Sequence, residues 1–188
     1  MKILLIFVLS LLAFPSQAQQ FDTFLPKFRK LYDGYHFGKK WERDAIDKEA
    51  ARIWKGSGGQ YEYASITASQ GVFETHFDSD PYVYGHRGNF GMRVGTILAE
   101  GIRIGIIKKK PEDEAWLLKR CRKDPGYADY LAASRLVFLV THCGTEKQAL
   151  RTWVRGPLKY QKEVDRKASL DYANGVLRLK QIQFGGQK

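Results

Sequence analysis

Residues 61–77 read YEYASITASQGVFETHF. Tyr63, Ile66, Val72 and Phe73 fall at steps that suit a buried helix over 61–74. A single carboxylate, Glu74, closes that helix, and the loop beyond it, 78–92, has turn residues and no period. Loops of that length inside a compact domain are often functional. A glutamate at a helix end is usually a solvated surface group. This one has Val72, Phe73 and Phe77 for company, and apolar surroundings favour the protonated form of a carboxyl. A carboxyl that holds its proton at working pH is equipped to act as a general acid.

Outward from this stretch the pattern stays helical. Residues 40–55 place Trp41, Ala45, Ile46, Ala50, Ile53 and Trp54 on one face, and Gly56-Ser57-Gly58-Gly59 ends them. Pro111 followed by Glu112, Asp113 and Glu114 starts a helix that runs to about Lys123, where Asp124-Pro125-Gly126 breaks it. Tyr127, Leu131, Leu136, Leu139 and Val140 predict another over 127–142, and further helices are expected over 145–154 and 158–181. Residues 102–107, IRIGII, alternate as a strand would, although Leu98, Ile102 and Ile106 also fit a helix. There is no internal repeat, low-complexity tract or proline-rich linker. The expected fold is mainly α, a single domain with an irregular loop or small β element near its groove.

The N-terminus bears on location. MKILLIFVLSLLAFPSQA has a cation at Lys2, an apolar run over 3–14 and small residues at Ser16 and Ala18, the pattern of a secretory signal. The apolar run is short for a membrane helix of about 20 residues, so stable membrane insertion is not expected. Residues 1–18 are therefore set aside as signal peptide, cut near Ala18. The expected domain is 19–188, periplasmic or secreted. The chain has 31 Lys+Arg against 20 Asp+Glu, a formal charge of +11. Such an excess favours anionic partners, which for an exported chain are envelope polymers such as peptidoglycan rather than nucleic acid. In an oxidising compartment Cys121 and Cys143 can pair, if the break at 124–126 sets their helices side by side. Closing that loop would contribute about 3 kcal/mol. The alternative is two unjoined buried thiols.

The motifs resemble a family. An apolar helix ending in Glu74-Thr75-His76-Phe77 is similar to the catalytic helix of lysozyme-like glycosidases, particularly lytic transglycosylases, which carry Glu-Ser-x-Phe or, in one membrane-bound branch, Glu-Thr. GNFGMRV, 88–94, resembles their glycine-rich loop and the Asn-x-Phe-Gly-Ile-Lys stretch of related glucosaminidases. Asp124-Pro125, Tyr130-Leu131 and the run from Ala149-Leu150 through Trp153-Val154 to Gly156-Pro157 follow in the family's order. The resemblance spans residues 61–160. It implies a lysozyme-like domain that cleaves peptidoglycan glycan strands as a monomer without cofactor or metal. Glu74 would be the acid/base, and Thr75, Asn89, Phe90, Met92, Arg93 and Trp153 would meet the substrate. Trp153 stands where the family has a tyrosine that contacts the glutamate, and Val154 where it has asparagine. Arg93 or Val94 falls where a glutamine is usual.

Lytic transglycosylation needs one glutamate, because the substrate's own 6-hydroxyl attacks the anomeric carbon. Hydrolysis often adds an aspartate, for which Asp78 and Asp80 are the candidates. Transglycosylation is the expected reaction. Two readings compete from other classes. One is a metal site of His76, Asp78, Asp80 and His86 in an exported nuclease, without any familiar ligand spacing. The other is a peptidoglycan-binding module that does not cut.

Overall fold

The computed structural model describes residues 16–36, 40–77, 86–156 and 162–185, the side chains of His86 and Arg87 excepted. The helices are α1 (Gln17–Tyr35), α2 (Arg43–Gly56), α3 (Tyr61–Thr75), α4 (Val94–Arg103), α5 (Pro111–Lys123), α6 (Pro125–Cys143), α7 (Glu146–Arg155) and α8 (Glu163–Phe184). Between α3 and α4, β1 (His86–Arg87) and β2 (Met92–Arg93) pair antiparallel, His86 opposite Arg93 and Arg87 opposite Met92. The domain is mainly α, as expected, with a small β ribbon beside the end of α3. The expected helix over 158–181 begins at Glu163 and reaches Phe184, residues 157–161 lying outside the described residues.

α3 is the axis of the fold. Every residue from Ala64 to Val72 is buried, and the helix packs against α1, α2, α6 and α8. Its sequence permits this because Ala64, Ser65, Thr67, Ala68, Ser69 and Gly71 are small enough for neighbours to close in on all sides. Two buried hydroxyls are satisfied within the helix, Thr67 Oγ1 donating to the Tyr63 carbonyl at 2.7 Å and Ser69 Oγ to the Ser65 carbonyl at 2.9 Å.

The helix stops abruptly. His76 and Phe77 both take left-handed backbone, φ 54° and 52°, a conformation that costs a bulky residue about 1–3 kcal/mol. The Phe77 ring supplies the compensation. It is fully buried with centroids of Phe28, Tyr32 and Trp41 at 5.5, 5.8 and 6.4 Å, and each aromatic pair adds about 0.5–1.5 kcal/mol beyond its burial. This anchor fixes where Glu74 sits.

α8 closes the domain. Lys180 reaches Glu62 of α3 at 2.6 Å and Glu146 of α7 at 2.7 Å. Burial works against its charge, but the two carboxylates prevail and raise its pKa above the ordinary lysine value. At its end, the Phe184 carbonyl accepts from Lys27 Nζ (2.6 Å) and Tyr61 Oη (3.0 Å), and its ring stacks on Phe24 at 5.6 Å.

Three expectations change. Residues 102–107 form no strand, because α4 runs to Arg103 and then turns. Gly105 adopts φ 75°, and the amides of Ile106 and Ile107 fold back onto the Gly101 carbonyl. Cys121 and Cys143 are not joined. The break before Pro125 lays the end of α5 against the start of α6, whereas Cys143 ends α6 nineteen residues on, about 27 Å along its axis. The region before Trp41 holds a helix that the sequence reading did not place. α1 begins at Gln17, capped by Ser16 in a reciprocal pair with Gln19, so a cut after Ala18 would remove that cap. Among the described residues no helix is long and apolar enough to cross a membrane.

Candidate functional site

Glu74 lies in the last turn of α3, where the helix emerges from the core. Two donors from distant parts of the chain converge on one of its oxygens. Tyr172 Oη of α8 donates to Oε1 at 2.5 Å, and Trp153 Nε1 of α7 donates to the same atom at 3.1 Å. Both donors are neutral. Burial, then the adjacent Glu74 charge, pushes the Tyr172 phenol far above its ordinary value, so it keeps its proton and remains a donor.

Tyr172 reaches Glu74 because α8 comes close to α3 here. Gly175, one turn further on, lies against the Phe73 ring, which a Cβ there would approach to 2.7 Å. Phe73 in turn packs edge-on to Tyr172, with centroids 6.0 Å apart. Of the three apolar residues expected around Glu74, Val72 and Phe77 are buried in the core, while Phe73 is 42% exposed on the α8 side.

In front of Glu74 opens a groove of about 630 Å³. Its walls come from the ribbon and the start of α4 (Arg93, Thr96), from α6 (Arg135, Leu139), from the end of α7 (Trp153, Val154, Arg155) and from Asp165 on α8. Of the expected site residues, Arg93 and Trp153 thus border the groove with Glu74. Phe90 and Met92 form its floor but are 1% and 2% exposed, packed in the core rather than presented to a ligand. Thr75 and Asn89 are not on the wall. Thr75 Oγ1 donates to the Asn89 carbonyl at 2.8 Å, and Asn89 Nδ2 turns inward to Asp129 Oδ2 at 2.9 Å. Their part is to tie the glycine-rich turn to α3 and α6. Asp78 and Asp80 lie outside the described residues, as does the side chain of His86. Among the described residues no group of three His, Cys, Asp or Glu side chains gathers as a metal site.

Behind that turn is a second acidic site. Glu49 of α2 and Asp129 of α6 are both fully buried and close enough for each to shift the other's ionisation. Burial pushes Glu49 up to about 7, although Asp129, Arg52 and Asn89 work in the opposite sense. Burial, then the Glu49 charge, raises Asp129 well above the usual carboxylate range. Two carboxyls in contact inside a protein share a proton, because burying two charges together costs far more. Arg52 stands at the edge, 3.6 Å from Glu49 and 2.6 Å from Asp124. Gly88, at φ 69°, lets the turn press onto this pair, for a Cβ there would overlap the Asp129 carboxyl.

No family model, curated protein or solved structure matches the chain. The sequence reading missed Tyr172, Glu49 and Asp129. For Tyr172 a faint signal exists, an aromatic residue one turn before Gly175 on the face that carries Ala173 and Val176 inward. For the buried pair the signal was two acids on faces otherwise occupied by Ile46, Ala50 and Ile53 and by Ala128, Ala132 and Ala133.

Proposed function

We propose that the protein is an exported peptidoglycan glycosidase that cuts the β-1,4 bond between N-acetylmuramic acid and N-acetylglucosamine by lytic transglycosylation, with Glu74 as general acid and base. The observation that carries this reading is the Glu74 carboxyl at a groove wall with Tyr172 and Trp153 both donating to one oxygen. The arrangement is suited to passing a proton in both directions.

In the first half of the reaction, the proton on Glu74 passes to the glycosidic oxygen as the C1–O bond breaks and positive charge develops at C1. The resulting carboxylate is stabilised by the Tyr172 and Trp153 donors. In the second half, the muramic 6-hydroxyl attacks C1 from within the same residue. Its proton returns to Glu74, leaving a 1,6-anhydro ring and restoring the acid. Water in place of that hydroxyl gives hydrolysis. That second reading draws support from Asp165, a groove carboxylate held 3.7 Å from Arg155 and available to orient water.

Digestion of purified sacculi tests the proposal. The expected products end in 1,6-anhydro-N-acetylmuramic acid, seen as a loss of one water by mass spectrometry. Reducing-end products instead would establish a hydrolase. A wild type that releases no soluble muropeptides, or no more than Glu74→Gln releases, would overturn the glycosidase reading.

A further inference from the structure

The groove carries an uneven charge. Three arginines line it, Arg93 from the ribbon, Arg135 from α6 and Arg155 from α7, against Glu74 and Asp165. Arg155 has Asp165 at 3.7 Å. Arg93 and Arg135 form no ion pair among the described residues. The contrast with Arg103 is instructive, because Arg103 and Arg135 share one aromatic support. Their guanidinium carbons lie 4.9 and 5.1 Å from the centroid of the Phe138 ring. Arg103 is neutralised by Glu100 and bonded to Ser134 Oγ at 2.7 Å. Arg135, whose side chain borders the groove, is held by the ring without an acid of its own among the described residues. A guanidinium fixed by stacking loses little freedom when it grips a planar carboxylate with two parallel bonds.

We propose that Arg93 and Arg135 are specificity residues that grip carboxylates carried on the glycan strand, so that the groove selects carboxylated strands over neutral ones of the same backbone. This rests on the glycosidase reading and adds the chemistry of the substrate's substituents to it. The carboxylate has two sources in such a polymer, the peptide stem or, where the stem has been removed, the bare lactyl group on the sugar. Both present a planar anion to the same two forks.

Binding separates this proposal from the cleavage reaction. Calorimetry of the Glu74→Gln protein would compare three strands of equal length: a neutral chito-oligosaccharide, a peptide-free muroglycan with bare lactyl carboxylates, and a peptide-bearing muroglycan. The expected result is at least tenfold tighter binding of one or both anionic strands at low salt, weakened by raised NaCl, since exposed charges are screened. Tight binding of the peptide-free strand assigns the lactyl carboxylate, and tight binding of the peptide-bearing strand alone assigns the stem. Arg93→Gln/Arg135→Gln should abolish the preference, while Arg93→Lys/Arg135→Lys should keep part of it and guard against a mere packing defect. Equal affinity for the neutral strand, or a preference that survives the double glutamine variant, overturns the proposal. Cleavage by the wild type without any charge preference would sink this inference and leave the glycosidase reading standing. A charge preference with no cleavage would do the reverse.

Discussion

Glu74 and the Glu49–Asp129 pair are connected by a short chain of contacts, through Thr75, the Asn89 carbonyl and the Asn89 amide, yet their surroundings treat a carboxyl in opposite ways. Glu74 stands at an open groove with two neutral donors on one oxygen. The pair is sealed in the core, where each carboxyl has chiefly the other acid and an amide for company. The difference teaches that acidity here is assigned by access to water and by the sign of the nearest group, not by residue type. On the proposed reading, one site loses and regains a proton in the course of the reaction. The other holds a proton as part of the structure.

The sharpest way to break this comparison is Glu74→Gln. The amide keeps the shape and can accept from Tyr172 and Trp153 but has no proton to deliver, so turnover of sacculi should fall by about 10²–10⁴-fold. Thermal unfolding should stay within about 2 °C of the parent, because the substituted side chain reaches the groove. A large drop in melting temperature would show that Glu74 is structural, like the pair behind it.

The pair makes a prediction about pH. Between pH 4.5 and about 7 the native Glu49 retains a proton that the unfolded chain releases, so stability is fully present below about pH 4.5 and falls as pH rises through 7. The change from 4.5 to about 7 corresponds to a loss of about 3 kcal/mol, flat again at higher pH. Urea unfolding from pH 4.5 to 8.5 would measure it. Glu49→Gln, whose amide donates to Asp129 without titrating, should flatten that slope; an unchanged slope would mean that other groups set it.

A smaller effect is expected for Tyr172→Phe, which removes one donor from Glu74 while keeping the ring against Phe73. Hydrogen bonds to charged groups contribute about 1.5–3 kcal/mol, so kcat should drop about tenfold to a hundredfold with KM little changed. An equal rise in KM would place Tyr172 on the substrate rather than behind the acid. The smallest effect belongs to the tether between the two sites. Thr75→Val removes the bond to the Asn89 carbonyl and should cost about 1 kcal/mol, or about 2–4 °C of melting temperature.

Much of the helical frame was legible because period and punctuation agreed. Gly56 to Gly59, Pro111 and the Asp124-Pro125-Gly126 break mark ends that the structure places within a few residues. α1 escaped notice although Phe24, Phe28, Leu31 and Tyr32 have helical spacing, because Pro26 interrupts it and its start overlaps a signal-like leader. α4 was ambiguous since its apolar residues serve a helix up to Arg103 and then a turn. At the candidate site, Glu74 and Trp153 could be read from local motifs. The burial of Asn89, Phe90 and Met92 was not legible, because the sequence does not say that the ribbon turns those three inward. Tyr172 and Asp129 act through contacts across 98 and 40 residues, a separation at which only the folded chain brings partners together.

That separation has a consequence for how the protein is made. Glu74 leaves the ribosome 98 residues ahead of Tyr172, a gap of about 5–20 s at ordinary rates of synthesis. Until α8 swings in and Lys180 clasps Glu62 and Glu146, the acid lacks the phenol that steadies it. α8, made after the seven other described helices, therefore brings the phenol to Glu74 late, and a chain truncated before it carries the glutamate without that donor.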